Sequence, residues 1–430
     1  MSSYAAAYLD DGRSICWFRN GVDEFFYMLF TEDDWIEIHG RDALTFMPGD
    51  VPIEDAQVVG FQVSARVLRD RLDLVGVSLA VVAAQLQRLV ESEAEILEGL
   101  RDMFSDSDDF TEYEREIEYL RQITWDSWLT QLRLGIVRGD SVDRFGRRES
   151  LGTASHLMAV WEDFDPRYPL RAVLETLPDD ALITLDLADL IEGGWLEPSI
   201  DPQTVGRRVA LDSSEGLLPP VVLAEGRFDI EVLNAALRLR RPHLMKFIRF
   251  PDFSHKNEGG ASALRQTLRA FVAAGIPNRV VALFDNDAAA RDVLRSVDED
   301  SLPSNIRVTC LPDLDTATNY PTIGPHGQQP MDINGLASSI ELFLGTDALT
   351  VNESLVPVQW TGYVRSLGAY QGELLDKGSV QRKFRQKVTV ATKDPHSMAT
   401  QDWSALDLLL DHLLDLIAQT LTPPSDSGSE

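Results

Sequence analysis

Apolar positions change period along this chain of 430 residues, and each change predicts a different kind of element. Residues 4–20 alternate in short runs, AAYL and SICWF, on either side of Asp10-Asp11-Gly12, which predicts strand, turn and strand. From about Val63 the period becomes helical. Leu68, Leu72, Val75, Leu79, Val82, Leu86 and Leu89 recur at helical spacing, and ESEAEILEGLRDMF continues the pattern. SDSDDF at 105–110 predicts a solvated, capping loop before a second long helix, EYEREIEYLRQITWDSWLTQLRLGI. The polar stretch 138–150 reads as a linker. In 151–200, LETLPDDALITLDLADLIEGGWL predicts short helices with a turn at Gly193-Gly194. DSSEGLLPP at 212–220 is a second boundary, since its two prolines cannot continue a helix.

Strands and helices then alternate. VVLAE, LMKFIRF, NRVVALFD and NIRVTCLP predict strands, separated by the helices FDIEVLNAALRLR, GGASALRQTLRAFVAAG and NDAAARDVLRSV. Such alternation predicts a doubly wound, Rossmann-like α/β layer, a parallel sheet with flanking helices. The expected organisation is a mainly helical N-terminal domain with a short β-hairpin over 1–150 and a linker or accessory segment over 151–215. An α/β domain follows over 216–348, then an accessory segment over 349–420 with a basic stretch, and a disordered tail over 421–430.

Composition fits a chain with a sizeable core: 44% hydrophobic and 25% charged residues. No apolar run approaches the ~18 residues of a membrane span, and the N-terminus lacks the pattern of a secretion signal. Cys16 and Cys310 stand alone without a CxxC, which argues against a disulfide framework or a cysteine zinc site. A cytoplasmic location is the expectation. The net charge of −30 is uneven: residues 1–200 hold 17 Arg, no Lys and 40 acids, whereas the remainder holds 22 basic and 29 acidic residues. Phosphate affinity comes largely from Lys and Arg, so any nucleic-acid role belongs to the second half.

Ligands of open α/β sheets bind outside the carboxyl ends of the strands. Three acids stand there: Glu225 after the first strand, then Asp285 and Asp287 after the third. Side chains at i and i+2 share a face, so this DxD projects two carboxylates into one space. With a Glu from a neighbouring strand end they could hold Mg²⁺ or Mn²⁺, hard cations that take oxygen ligands and bind phosphate oxygens. A pair of such ions can activate a water in phosphodiester cleavage. The plain alternatives are a turn at Glu225-Gly226 and a helix cap at Asp285 or Asn286.

EGRFDIEVL, followed some 60 residues later by LFDNDAAA, resembles a Toprim domain, the metal-binding fold shared by topoisomerases, bacterial primases and overcoming-lysogenization-defect nucleases. The family's Glu-Gly and DxD fall on Glu225-Gly226 and Asp285-Asn286-Asp287, and the resemblance covers roughly 219–345. FDNDAAA and NEGGASALRQTL stand nearer the nuclease branch. That branch commonly adds a later acid, for which Glu341 in SSIELFLG is the first candidate and Asp332 the second. The hairpin start, ARVLRDRLDLVGVSL and VQWTGYVRSLGAYQGELL resemble HEPN/Toprim-associated proteins, with an N-terminal HEPN-like helical domain. HEPN ribonucleases use an Arg-x4–6-His motif, which neither His39 nor His156 completes, and Arg238 to His243 matches only by coincidence across Pro242. Scaffolding, sensing or homo-oligomerisation is therefore expected of that domain.

There is no GxxxxGK[ST] phosphate loop and no zinc-finger spacing, which excludes an ATPase in this chain and counts against a primase. His255 reads as a loop residue, and Lys256 as a phosphate contact near Gly259-Gly260. The densest basic stretch, Lys377–Lys393, holds six Lys or Arg and no acid. There Lys377, Arg382, Lys383, Arg385 and Lys387, with Phe384 interleaved, form the expected nucleic-acid surface. A solvated basic helix is the alternative. Cys310, Trp195 and Trp360 read as core. Together these features imply a Mg²⁺- or Mn²⁺-dependent endonuclease acting on DNA, in defence against phage or other foreign DNA. Glu225, Asp285 and Asp287 would be its catalytic and metal-binding acids, Glu341 the fourth, and Glu225 a possible general base. Two other readings stay open: a non-catalytic metal- or nucleic-acid-sensing regulator, and an RNA-processing Toprim ribonuclease.

Overall fold

The alternation near the N-terminus does build a hairpin, β1 (Tyr4–Leu9) paired with β2 (Ser14–Arg19), but the hairpin is only one side of a larger sheet. The computed structural model describes residues 2–46, 51–103, 110–142, 151–197, 202, 218–251, 260–298, 301–325 and 327–419. Residues 104–109, 143–150, 212–217, 252–259 and 420–430 lie outside them. They include most of the loop at 105–110, the linker and the second boundary, together with His255, Lys256, Gly259 and the tail. The chain divides into two units, 1–217 and 218–430.

In the first unit, β3 (Trp35–His39), β4 (Gln57–Ser64) and β5 (Leu182–Asp186) join the hairpin in the order β2-β1-β5-β4-β3, antiparallel throughout. This corrects the expectation of a helical domain with only a short hairpin. LITLD was read among short helices. Its β-branched residues instead fill the centre of the sheet, where Ile183, Thr184 and Leu185 are buried between β1 and β4. Five residues cannot announce a central strand when both neighbours come from more than 100 residues upstream. Gly60 of β4 is required by that pairing, because a Cβ there would stand 2.0 Å from the Leu185 carbonyl oxygen.

The helical period after Val63 also divides. Ser64 caps a helix at Ala65–Leu74, Gly76 turns the chain at φ +91°, and a second helix runs over Leu79–Met103, bent 79° from the first. Phe110–Gln122 and Trp125–Arg138 follow, with Trp128 fully buried. No single helix among the described residues is long and apolar enough to cross a membrane.

The second unit centres on three parallel strands, β6 (Val221–Ala224), β7 (Val280–Phe284) and β9 (Ile306–Cys310), in the order β6-β7-β9. Between β7 and β9 lies the two-residue β8 (Asn286–Asp287). VVALF is apolar at every position because β7 is buried on both faces. Val221, Leu223, Val280, Ala282, Phe284 and Ile306 pack beneath the helices Ala261–Ala273 and Ala288–Leu294. The helix Ser404–Gln419 packs on β7 as well. The expected strand LMKFIRF reduces to one bridge, Arg249 to Val221, and a 3₁₀ turn occupies Pro242–Leu244. The architecture is thus mixed α/β, with fewer parallel strands than the doubly wound layer expected. A separate four-stranded sheet holds Gly327–Met331, Tyr320–Gly324, Val358–Val364 and Ala369–Leu374 in that order. Trp195, expected in the core, is 51% exposed, and Trp360 and Cys310 are only half-buried.

One buried ion pair fastens the first unit. Arg71, 1% exposed, donates to Asp34 Oδ2 at 2.6 Å, to Asp34 Oδ1 at 3.2 Å and to the Leu29 carbonyl at 2.9 Å. Removing one partner of such a pair leaves a buried charge uncompensated. Arg71→Met is therefore expected to lower stability by about 3–5 kcal/mol, measured by urea denaturation; a loss below 1 kcal/mol would show that the pair does not hold this unit together.

Candidate metal centre

Glu225 leaves β6 and Asp285 leaves β7 at their carboxyl ends, because the strands run parallel with Ala224 beside Leu283. The backbone N–H of Asp285 donates to Glu225 Oε1 at 2.9 Å, joining the two strand ends directly. Two residues on, Asp287 caps the helix Ala288–Leu294, its Oδ1 accepting from the Ala290 N–H at 2.7 Å. The cap read from the sequence is therefore real, and Asp287 rather than Asp285 or Asn286 makes it. Asp287 Oδ2 accepts from Gln371 Nε2 at 2.7 Å, while Gln371 Oε1 accepts the Ala289 N–H at 2.8 Å. Asn286 points away, donating to Asp313 Oδ1 at 2.7 Å and accepting from Arg291 at 3.2 Å. That guanidinium occupies the space a side chain at Gly335 would need.

β8 also brings the later acid. It pairs with Ala337–Ser338, Asp287 opposite Ala337, so the chain through Ser339 to Glu341 runs beside the DxD. Glu341 is 4% exposed; its Oε2 accepts from Ser339 Oγ at 2.6 Å and its Oε1 from Gln381 Nε2 at 2.9 Å. Asp332 is exposed and closes a turn onto the Asn334 N–H. Of the two late candidates, Glu341 is the one brought into the electrostatic field of the strand-end acids.

Sequence reasoning missed a fifth carboxylate. Asp229 lies one turn into the helix Arg227–Arg240, and its Oδ2 accepts the Gly226 N–H at 2.8 Å. The four-residue spacing in EGRFD was the available signal. Glu225, Asp229, Asp285, Asp287 and Glu341 act on one another as like charges. Burial pushes Glu225 up to about 7 and Asp229 up to about 6, and it raises Asp285 well above the carboxylate range with Glu225 adding to the effect. Lys377 counters them: its Nζ stands 3.8 Å from Glu341 Oε2 and favours the charged forms of Glu225 and Asp229. Cys310, at the end of β9, is pushed up to about 11 by burial and stays a thiol.

The basic helix is more occupied than its composition implied. Lys387 is buried beneath the Trp403 ring and donates to Asp347 Oδ1 at 2.7 Å, the Leu344 carbonyl at 2.8 Å and the Asp402 carbonyl. It is a structural anchor, which corrects its assignment to a nucleic-acid surface. Arg385 pairs bidentately with Glu231 at 2.7 Å, Lys383 donates to the Thr350 carbonyl, and Arg382 bonds Ser379 at 2.7 Å.

As donors, five clustered carboxylates suit a hard divalent cation, which would relieve the repulsion that burial imposes. By donor chemistry alone, carboxylate oxygens are the ligand type that Mg²⁺ or Mn²⁺ takes. Among the described residues, however, no group of three or more His, Cys, Asp or Glu side chains converges as metal ligands. Glu225 Oε1, Asp229 Oδ2 and both oxygens of Asp287 and of Glu341 accept instead from protein donors.

Residues 1–208 match the family described as HEPN/Toprim N-terminal domain 1. The chain carries an N-terminal HEPN/Toprim domain. The five carboxylates lie beyond the matched residues of that HEPN/Toprim domain. No curated protein and no solved structure matches the chain.

An acid whose pKa is raised by folding adds stability at low pH and loses it as pH rises through the folded value. Glu225 and Asp229 move from ordinary values of 4.5 and 3.8 to about 7 and about 6. The metal-free chain is therefore expected to melt at progressively lower temperature from pH 5 to 8, less steeply in Glu225→Gln. A melting temperature that rises across that range would contradict this assignment.

Proposed function

We propose that residues 218–430 form a Toprim-type, Mg²⁺- or Mn²⁺-dependent nuclease. The observation that carries the reading is the gathering of Glu225, Asp229, Asp285, Asp287 and Glu341 around the carboxyl ends of β6 and β7, with Lys377 beside them. The HEPN/Toprim description of the first half supports it, because that name pairs the N-terminal domain with a Toprim domain. The five acids would hold the cation. When bound, such ions neutralise charge on a phosphodiester and lower the pKa of water. The chain's own contribution is proton handling and charge placement. Glu225, raised to about 7 by burial, is the candidate general base, a carboxylate whose affinity for a proton is matched to neutral pH. The Lys377 ammonium supplies the positive charge for a phosphate oxygen. DNA is the favoured substrate, in a cytoplasmic defence role against foreign DNA, with the first unit scaffolding, sensing or mediating self-association.

A second reading has an observation of its own. Among the described residues no three of these groups converge as ligands, and the carboxylates make internal hydrogen bonds, which suits a non-catalytic regulator. Cleavage decides between them. Supercoiled plasmid with Mg²⁺ or Mn²⁺ is expected to be nicked or linearised by the wild type and untouched by Asp285→Ala/Asp287→Ala or in EDTA. A folded, metal-binding chain that cuts neither plasmid, single-stranded DNA nor RNA would favour the regulator; preferential cleavage of RNA in competition would favour RNA processing.

Gln371 is expected to orient Asp287 for the cation, since hydrogen bonds to ligating carboxylates fix their direction. Gln371→Leu keeps the bulk and removes both bonds. Its Mn²⁺ affinity, measured by calorimetry without nucleic acid, should fall about tenfold or more; equal affinity would show that the carboxamide does not position Asp287.

A further inference from the structure

The four-stranded sheet of the second unit carries three aromatic rings that the carboxylate site does not use. Tyr363 and Tyr370 are paired across the last two strands, 55% and 58% exposed, with ring centroids 5.2 Å apart in an edge-to-face arrangement. Trp360 lies 6.2 Å from Tyr370. Residues three apart in a regular strand face opposite sides. Trp360 and Tyr363 share a side because a bulge intervenes: Trp360 opposes Gly372, Gly362 opposes Gln371 and Tyr363 opposes Tyr370. Bulges re-aim side chains in this way.

Glycines keep the surroundings low. A Cβ at Gly372 would meet Val358 Cγ1 at 2.7 Å and both Ala337 Cβ and the Trp360 ring at 3.0 Å, and one at Gly324, on the neighbouring strand, would meet the ring at 3.2 Å. Nothing stands within 4 Å of a Cβ at Gly362. The indole thus rests over two glycines, with the tyrosine pair beside it.

The charge here differs from that of the chain. The four strands hold a single acid, Glu373, whereas the chain holds 69 Asp and Glu among 430 residues. Arg365 is exposed in the turn between the last two strands, and Arg295 reaches the same turn, donating to the Ser366 carbonyl at 2.7 Å. A polyanion meets one acid within these strands, and at one end of the sheet two cations beside a single carboxylate, Asp292, which accepts from the Ser366 hydroxyl.

We propose that Trp360, Tyr363 and Tyr370 form a stacking platform for the unpaired bases of single-stranded nucleic acid, with Arg365 and Arg295 facing its phosphates. Aromatic rings take base faces regardless of sequence, and only unpaired bases present those faces. The edge strand connects this platform to the acids: Tyr370 belongs to it, and the next residue, Gln371, holds Asp287. The choice of polymer rests on the nuclease reading; the stacking geometry stands apart from it.

Fluorescence anisotropy in EDTA, where no cleavage occurs, tests the platform with labelled oligo(dT), oligo(U), a duplex of equal length and an abasic oligonucleotide. The full chain is expected to bind both single strands more tightly than the duplex or the abasic strand. Tyr363→Ala/Tyr370→Ala should weaken single-strand binding about tenfold or more, while Tyr363→Phe/Tyr370→Phe retains it and melting temperatures stay unchanged. Equal affinity for duplex and single strand, absence of binding, or indifference to the alanine pair would overturn the proposal. So would a concentration-dependent dimer abolished by the alanine pair, which would assign the rings to a second copy of the chain. Stacking without cleavage of plasmid, single-stranded DNA or RNA would refute the nuclease reading and leave the platform standing; cleavage unaffected by the alanine pair, with no single-strand preference, would do the reverse.

Discussion

The second unit is organised around one unfavourable interaction, the mutual repulsion of carboxylates withdrawn from water. Glu225 and Asp285 are joined by a hydrogen bond from the Asp285 backbone N–H to the Glu225 carboxylate at the parallel strand ends, and that bond holds like charges together instead of apart. Burying charges is costly unless they are paired or neutralised. The surroundings supply partial relief: amide donors at Gly226, Asp285 and Ala290, the carboxamides of Gln371 and Gln381, the Ser339 hydroxyl and the Lys377 ammonium. The remaining strain is visible in the raised pKa values of Glu225, Asp229 and Asp285. Perturbed groups of this kind cluster at functional sites.

Much of the peripheral structure serves this cluster. The short antiparallel pairing of Asn286–Asp287 with Ala337–Ser338 delivers Glu341. The helix Lys377–Lys393 delivers Lys377 and Gln381 at its beginning, and farther along it is anchored by the buried Lys387. Its basic residues therefore divide between site and scaffold, a distinction that their charge alone does not reveal. The hairpin Val358–Leu374 contributes on both faces, with Gln371 toward Asp287 and aromatic rings on the side that the bulge selects.

The first unit depends on different physics. Its sheet closes only when β5, more than 100 residues downstream, enters between β1 and β4, and Gly60 permits that approach. The match over residues 1–208 spans this whole arrangement, strand β5 included.

Local pattern determined a good deal. VVALF required a strand buried on both faces, the helical periods located the helical stretches but not the breaks at Gly76 and Thr124 that divide each long helix in two, and Glu225, Asp285 and Asp287 were legible because acids directly after apolar strands must stand at strand ends. Glu341 was legible only by resemblance. Asp229 was not singled out, because a Glu and an Asp four residues apart at a helix start look like ordinary capping until a second strand brings Asp285 beside them. Strand β5, the burial of Lys387 and the exposure of Trp195 were equally invisible, since each depends on partners distant in the chain. Periodicity reports which residues prefer to be buried; only the tertiary structure decides against what, and long-range pairing can bury a lysine, expose a tryptophan or gather five like charges in one place.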